Sequence, residues 1–253
     1  MRYYKIIIYL TLAVSTLFAQ AVIEADSLYE NGNQAMLQEN FESAIENYHL
    51  ILDQGHSHPD LFYNLGNAYY RLDRFGAAVW AYEKGLQLTP RDKDLRFNLL
   101  IVNARVRDRI EMPKTILSLE QYRSLKKSAT LSDIILIASA IFMLGAFVYF
   151  LKKYYQWRSI WISRIISAFF VLSIVVHLMA LDKYFEISDT KNVIIVMPEV
   201  DIYSAPFARS ETVLFRLHEG VKAEITQEQS GWVEIILIDG KKGWLESEKV
   251  WYL

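Results

Sequence analysis

The chain has 253 residues, a formal net charge of −2 and no cysteine, which excludes disulfides, zinc–thiolate sites and thiol chemistry. Its charge is uneven: residues 22–112 carry nine Lys/Arg against fourteen Asp/Glu, residues 192–253 carry six against ten, and residues 113–191 carry ten against five. Two acidic regions around a basic centre argue against a nucleic-acid-binding surface and suit a centre that is anchored in a membrane.

The N-terminus predicts a secretory signal peptide over residues 1–21. It begins with two cations, continues with the uncharged apolar segment 6–18 and ends in a small-x-small cleavage site at 19–21. The apolar segment is shorter than the roughly 20 residues that a membrane-spanning helix needs. Cleavage after either alanine of the site fits this pattern.

Residues 22–112 contain an internal repeat with a period of 34 residues. The matching pairs are Tyr29 and Tyr63, Gly32 and Gly66, Asn33 and Asn67, Phe41 and Phe75, Ala44 and Ala78, and Tyr48 and Tyr82. This period and pattern resemble tetratricopeptide repeats, which are helix–turn–helix units that stack into a groove for a partner protein. We therefore predict one helix pair at 25–38 and 41–53, and a second pair at 59–72 and 75–88.

The small residues predict how each unit packs. Gly66 should let the two helices of its unit touch, with Ala78 facing it and Tyr82 filling the layer between units. A third unit begins over Asp92–Arg109 but has Leu100 where the glycine should be, which predicts a single terminal helix that solvates the array. Because such arrays generally need about three units to bury a continuous core, we expect support from a partner or from the membrane.

The first helix of each unit is predicted to line a concave binding face. The candidate partner-binding residues there are Tyr29, Asn33, Tyr63, Asn64, Asn67, Tyr70 and Phe97. Aromatic rings can pack the side chains of an extended peptide, and carboxamides can bond its backbone as both donor and acceptor. The alternative is that Tyr29, Tyr63 and Phe97 only stack between neighbouring helices. This face lacks the basic residues of a carboxylate clamp, so an acidic chain end is predicted to be a poor ligand for it.

The basic centre predicts a transmembrane hairpin. A linker or interfacial helix at 113–131 precedes two apolar spans at 132–151 and 165–181, joined by a loop at 152–164. The loop carries no acidic residue and the four cations Lys152, Lys153, Arg158 and Arg164. Positive charge and aromatic residues next to the spans predict a cytoplasmic loop, with both flanking regions in the periplasm. The alternative is a buried helical hairpin in a soluble domain.

From residue 192 onwards, short β-rich runs alternate with turns. The runs are Val193–Met197, Val200–Tyr203, Val213–Leu217, Lys222–Gln227, Trp232–Ile238, Lys242–Leu245 and Val250–Tyr252. About sixty residues with this many strands can close only as a small barrel. The Gly-Trp-Val run at 231–233 and the Asp-Gly-x-x-Gly-Trp-Leu run at 239–245 resemble a bacterial SH3 domain, placed at 192–253. The usual arginine of that family is replaced by Tyr203, which puts any ligand contact of that arginine in doubt.

Catalytic motifs are not evident. The sequence shows no nucleophile–base pair, Gly-rich phosphate loop or paired carboxylates in a recognisable motif. His56 and His58, beside Asp53 and Asp60, could outline a metal site, but two histidines two positions apart in a loop are more often turn residues. The sequence therefore predicts no enzymatic activity, no cofactor and no metal.

The order of these regions resembles the E-type proteins of the Bacteroides aerotolerance operon (BatE-like). The resemblance implies membrane partners with von Willebrand A domains and an envelope complex for oxidative-stress tolerance. The predicted fold is a multidomain membrane protein with all-α tetratricopeptide repeats, a two-helix transmembrane hairpin and a small all-β SH3-like barrel. The predicted function is that of a non-enzymatic inner-membrane scaffold that presents both binding modules to the periplasm. The alternative is a cell-wall sensor whose SH3 domain binds peptidoglycan and whose repeats recruit an envelope enzyme.

Overall fold

The computed structural model describes residues 24–110, 117–189 and 191–253. The predicted signal peptide lies outside the described residues. The described chain has a helical repeat region, then two long helices, and then a C-terminal antiparallel sheet. This order of structural classes is the one that the sequence predicts.

Five short helices form the repeat region. They are α1 at 24–37, α2 at Phe41–Asp53, α3 at Pro59–Arg71, α4 at Phe75–Leu88 and α5 at Lys93–Asn103. Their starts follow from local chemistry: Asn40 accepts a hydrogen bond from the Ser43 amide, and His58 precedes Pro59 and accepts one from the Asp60 amide. His58 is thus a helix cap. The terminal helix α5 is shorter than the predicted 92–109.

Close packing inside each unit depends on one glycine and one tyrosine. A Cβ added at Gly66 would lie 2.7 Å from Cδ1 and 2.8 Å from Cζ of Tyr82. Tyr48 packs on Gly32 in the same way, one repeat earlier. The predicted close approach of the helices is therefore confirmed, and the atoms nearest to Gly66 belong to the ring of Tyr82. The tyrosine ring fills this place because the missing side chain leaves a flat surface for it.

Three helices follow the repeat region: α6 at Leu117–Lys127, α7 at Leu131–Tyr154 and α8 at Ile160–Asp189. By length and composition, α7 and α8 are long and apolar enough to cross a membrane. In the most apolar 18-residue stretch of each helix, only 17% is buried inside the protein. Most of their apolar side chains thus face outward, which is not the arrangement of the buried-hairpin alternative. The turn between them is shorter than the predicted loop, since only residues 155–159 are not helical.

Helix α6 lies against the charged end of α8. The Lys126 ammonium contacts the carboxylates of Asp182 at 2.6 Å and Glu186 at 2.9 Å. The Tyr122 hydroxyl donates to Asp182 at 2.6 Å. Because Asp182 directly follows the apolar part of α8, these contacts place α6 at the end of the apolar segment.

All seven predicted strands are present in the C-terminal sheet. They are β1 Lys191–Ile195, β2 Glu199–Tyr203, β3 Val213–His218, β4 Lys222–Gln229, β5 Trp232–Ile236, β6 Lys242–Glu246 and β7 Val250–Tyr252, and their order in the sheet is β3-β2-β6-β5-β4-β1-β7. Every strand, including both edges, contributes to one apolar cluster. The sheet must therefore curl around its own core, as a small barrel does.

The C-terminal sheet docks onto the repeat region through β1 and β7. Ile194 is fully buried in the apolar core of the repeats, while its neighbours Val193 and Ile195 lie in the core of the sheet. The Trp80 indole nitrogen on α4 donates to the carbonyl of Tyr252 at 2.8 Å. Strand β1 is thus covered on both faces, and it joins the two cores.

Polar contacts hold the start of α4 against the sheet. Glu219 accepts a hydrogen bond from the Gly76 amide at 2.7 Å, while Arg74, at the N-cap position, makes no side-chain cap. Burial raises the pKa of Glu219, and the charge of Asp73 raises it further. Part of the support that the short array needs therefore comes from the sheet of the same chain.

A candidate binding groove on the repeat helices

The first helices of the units, α1, α3 and α5, carry a row of hydrogen-bonded asparagines. The Asn33 carbonyl oxygen accepts from the Tyr48 hydroxyl at 2.8 Å and from the Asn64 amide at 3.0 Å. One repeat later, the Asn67 carbonyl oxygen accepts from the Tyr82 hydroxyl at 2.8 Å and from the Asn98 amide at 2.8 Å. The same arrangement thus occurs twice, 34 residues apart.

The two tyrosines hold the asparagines in one orientation. Tyr48 and Tyr82 are almost completely buried, and burial raises the pKa of each well above the usual range. Their hydroxyls therefore keep the proton that they donate to Asn33 and Asn67. Both lone pairs of these carbonyl oxygens are occupied, so the amide nitrogens are the groups of Asn33 and Asn67 that can still bond to a ligand, as hydrogen-bond donors.

The unused groups alternate along the face. Within the described residues, the amide nitrogen of Asn67 and the carbonyl oxygens of Asn64 and Asn98 have no hydrogen-bond partner in the protein, while the Asn33 amide interacts with the Tyr29 hydroxyl. A peptide backbone presents the complementary acceptor and donor groups. Asn33 and Asn64 also line a small cavity of about 400 Å³ with Met36 and Leu37. The arrangement can bond a backbone and receive an apolar side chain.

The predicted aromatic residues divide into two groups. Tyr29 contributes to the packing of the repeats. Its hydroxyl accepts a hydrogen bond from the Asn64 amide at 3.1 Å, and its ring centroid lies 6.1 Å from that of Tyr48. Burial and the charge of Asp60 raise its pKa. Tyr63 and Tyr70 are half-buried and pack against the repeat core. These three residues pack in the array, as the alternative interpretation expects of Tyr29 and Tyr63, and their half-buried rings still border the groove.

Phe97 differs from the tyrosines because α5 is the last repeat helix among the described residues. It is 62% exposed, and Leu100 is 69% exposed. The terminal helix thus presents apolar side chains at the open end of the array, whereas the sequence predicts a solvating helix. Among the candidates, Phe97 offers the most accessible ring.

The C-terminal sheet has a second aromatic surface. Tyr203 meets Trp232 edge to face, with 5.6 Å between ring centroids, and Trp232 is half-buried. Trp244 is 8% exposed and belongs to the interior. At the position where the sequence has Tyr203 instead of the expected arginine, the side chain therefore packs on the ring of Trp232.

Metal binding has no geometric basis in the part of the chain that is described. No group of three or more His, Asp or Glu side chains there is placed to hold an ion. His56 and His58 belong to the turn that precedes α3.

Comparison with known proteins identifies the C-terminal module. Residues 196–252 match the family model of the bacterial SH3 domain, within the predicted 192–253. No curated protein matches the chain. A solved structure with some likeness is YrrB, described as a TPR protein with an unusual peptide-binding site. It is 19% identical and covers 69% of this chain and 87% of its own, with a TM-score of 0.32. That TM-score is too low to support an argument, so the helical repeats stand on their own period and packing.

Sequence reasoning missed the residues that orient the groove. Tyr48, Tyr82 and Asn98 were not among the candidates, although they are central to the hydrogen bonds. The information was present, because Tyr48 and Tyr82 are one repeat apart, as are Asn64 and Asn98. When an asparagine and a tyrosine on facing helices both recur after 34 residues, the same hydrogen bond between them is expected in each unit.

Proposed function

We propose that this protein is a non-enzymatic membrane scaffold whose repeat groove binds an extended segment of a partner protein. The observation that carries the proposal is the doubled asparagine–tyrosine arrangement on α1 and α3. It leaves alternating donors and acceptors with spare hydrogen-bonding capacity on a face bordered by aromatic rings, which suits a peptide backbone with side chains on either side. Repeat and SH3 modules are typically binding rather than catalytic units, which supports the non-enzymatic part.

The membrane part of the proposal is that α7 and α8 cross the inner membrane as a hairpin. A hairpin returns the chain to its starting side, which agrees with the contacts between the repeat region and the SH3 domain. The cations near the 155–159 turn favour a cytoplasmic turn, so both modules would face the periplasm. We assign the spans to 132–151 and 165–181 within the longer helices.

The partner class follows from the family resemblance. BatE-like proteins are implicated in an aerotolerance complex of the envelope. If this chain has the same role, its partners are the membrane proteins with von Willebrand A domains in such a complex. The binding residues that we assign to this partner are Tyr29, Asn33, Tyr63, Asn64, Asn67, Tyr70 and Phe97.

A second candidate function is that of a cell-wall sensor. The match of 196–252 to the bacterial SH3 family favours it, together with the aromatic pair of Tyr203 and Trp232. In that case the SH3 domain binds peptidoglycan, and the repeats recruit an envelope enzyme. Retention of the protein on purified peptidoglycan separates the two functions, since the scaffold requires none.

The groove is tested by co-purification of partners with full-length variants from membranes. Tyr63→Ala and Asn67→Ala should each weaken association by roughly 1–3 kcal/mol, as is usual when an anchoring ring or a hydrogen-bonding group is removed. The matched control is Glu46→Ala, because Glu46 is exposed on α2, away from the first helices. Equal partner recovery from a folded Tyr63/Asn67 double variant would contradict the groove as the binding site.

A further inference from the structure

A second cavity lies on the opposite side of the repeat region from the groove. Its volume is about 530 Å³, within the range of pockets that hold small ligands. It is built by the second helices α2 and α4, the turn before α3, Phe62 at the start of α3, and the last strand of the SH3 domain. Its lining residues are His49, Leu52, Asp53, Ser57, Phe62, Trp80, Lys84, Gln87, Leu88 and Trp251. We call this cavity the junction pocket.

The aromatic rings form a fixed corner in the junction pocket. Trp80 and Trp251 meet at 77° with 5.0 Å between centroids, and His49 stacks over Trp80 at 6.5 Å. The Trp80 indole N–H is already bonded to the carbonyl of Tyr252. The corner therefore offers apolar ring faces and holds its shape without a ligand.

A cation without a counterion stands beside this corner. Lys84 follows Trp80 by one helical turn on α4, is half-buried, and has no ion-pair partner among the described residues. Burial lowers its pKa, as expected for an ammonium group that has lost water without gaining an anion. Its neighbour Glu83 is occupied by Lys222 at 2.8 Å. Asp53 also lines the pocket, but it is exposed, so solvent screens its charge.

We propose that the junction pocket binds an apolar carboxylate of about the size of one amino-acid residue, such as the C-terminal residue of a peptide with an aromatic side chain. The carboxylate would pair with Lys84, and the apolar side chain would fill the corner of Trp80 and Trp251. This site is separate from the groove and does not depend on it. Because Trp251 belongs to the SH3 domain, a bound ligand would also stabilise the docked arrangement of the two modules.

The test uses the full chain in lipid nanodiscs and titration calorimetry with N-acetyl-L-phenylalanine. The matched probe is N-acetyl-L-phenylalaninamide, which has the same ring but no charge. We expect the acid to bind about tenfold more tightly than the amide, because a partly desolvated charged pair adds to the same apolar contact. Lys84→Gln should abolish this difference and leave the affinity for the amide unchanged. Lys93→Gln, a change at an exposed cation on α5, should preserve the difference.

Several results would overturn the proposal. They are no binding of the acid, equal affinity for acid and amide in the wild type, or a preference for the acid that persists in Lys84→Gln. Tighter binding of an N-acetylglucosamine trisaccharide than of the acid would also overturn it and would identify a glycan site. Far-ultraviolet circular dichroism of both lysine variants checks that the helices are intact.

Discussion

The contact between Gly66 and Tyr82 gives a quantitative test of the repeat packing. A methyl group at residue 66 would lie 2.7 Å from a carbon of a ring that is 2% exposed, closer than carbon atoms normally approach. Overpacking of this kind costs about 1–3 kcal/mol. If the ring moves away, its hydrogen bond to Asn67 is lost, at a further cost of about 1 kcal/mol. Alanine returns about 1 kcal/mol of helix propensity. The net expectation for Gly66→Ala is a loss of about 1–3 kcal/mol in local stability.

Hydrogen exchange followed by mass spectrometry measures this loss on the full chain in nanodiscs. Peptides from α3 and α4 should exchange about five to 150 times faster in Gly66→Ala than in the wild type. Gly85→Ala is the matched control, because it has the same propensity gain and its Cβ meets the methyl ends of Leu95, at 2.9 and 3.0 Å, and Cβ of Phe62, at 3.3 Å, rather than a tyrosine ring. Wild-type exchange in Gly66→Ala, or exchange in Gly85→Ala that is as fast as in Gly66→Ala, would contradict a stabilising contact between Gly66 and Tyr82.

Two further predictions concern docking and topology. The pKa of Glu219 is raised above its usual 4.5 when the sheet is docked on α4. The docked state is therefore most stable below pH 4.5, and it becomes less stable as the pH rises through the raised pKa of Glu219. Glu219→Gln should flatten this pH dependence of exchange at the start of α4, and a dependence identical to that of the wild type would assign it to another group. For topology, periplasm-active reporters placed after Leu253 and after Arg109 should be active, and one at Gln156 should be silent. An active reporter at Gln156 would reverse the proposed orientation.

The helices and strands could be predicted because each leaves a periodic pattern. The 34-residue period predicts the ends of α2, α3 and α4 closely, and all seven strands coincide with β-rich runs. The ends of the two long apolar helices were predicted less accurately. The helices α7 and α8 continue past the apolar residues into charged ones, where composition changes but backbone geometry does not.

Docking of the two modules could not be predicted from periodicity, because a contact between distant segments imposes no repeat. One indication was available in β1. Val193, Ile194 and Ile195 are consecutive apolar residues, whereas a strand with one solvent-exposed face should alternate. The structure explains the run, since Ile194 is buried in the repeat core and its neighbours in the sheet core. The absence of a side chain at Gly76 also matters, because a Cβ there would lie 2.6 Å from the Ile195 carbonyl oxygen.

The same limit applies to the candidate site. Residue types on the first helices could be read from the repeat, but the bonds that occupy them depend on buried partners on other helices. Asn33 and Asn67 were predicted as ligand contacts, yet half of their hydrogen-bonding capacity is used by Tyr48, Tyr82 and the next asparagine. By its position in the repeat, Lys84 lies on a second helix, away from the predicted groove. It instead lines the junction pocket, which depends on the SH3 domain for its last wall.

Site-specific photocrosslinking in cells decides whether the groove is the binding surface, because it reports which face of the repeats contacts the partner. A benzoylphenylalanine at position 97 replaces a ring that is already 62% exposed at the open end of the groove, so the fold should tolerate it. The same residue at position 46, exposed on α2, is the matched control. We predict a partner adduct from position 97 and none from position 46. Adducts from position 46 alone would contradict the groove as the binding surface of this protein.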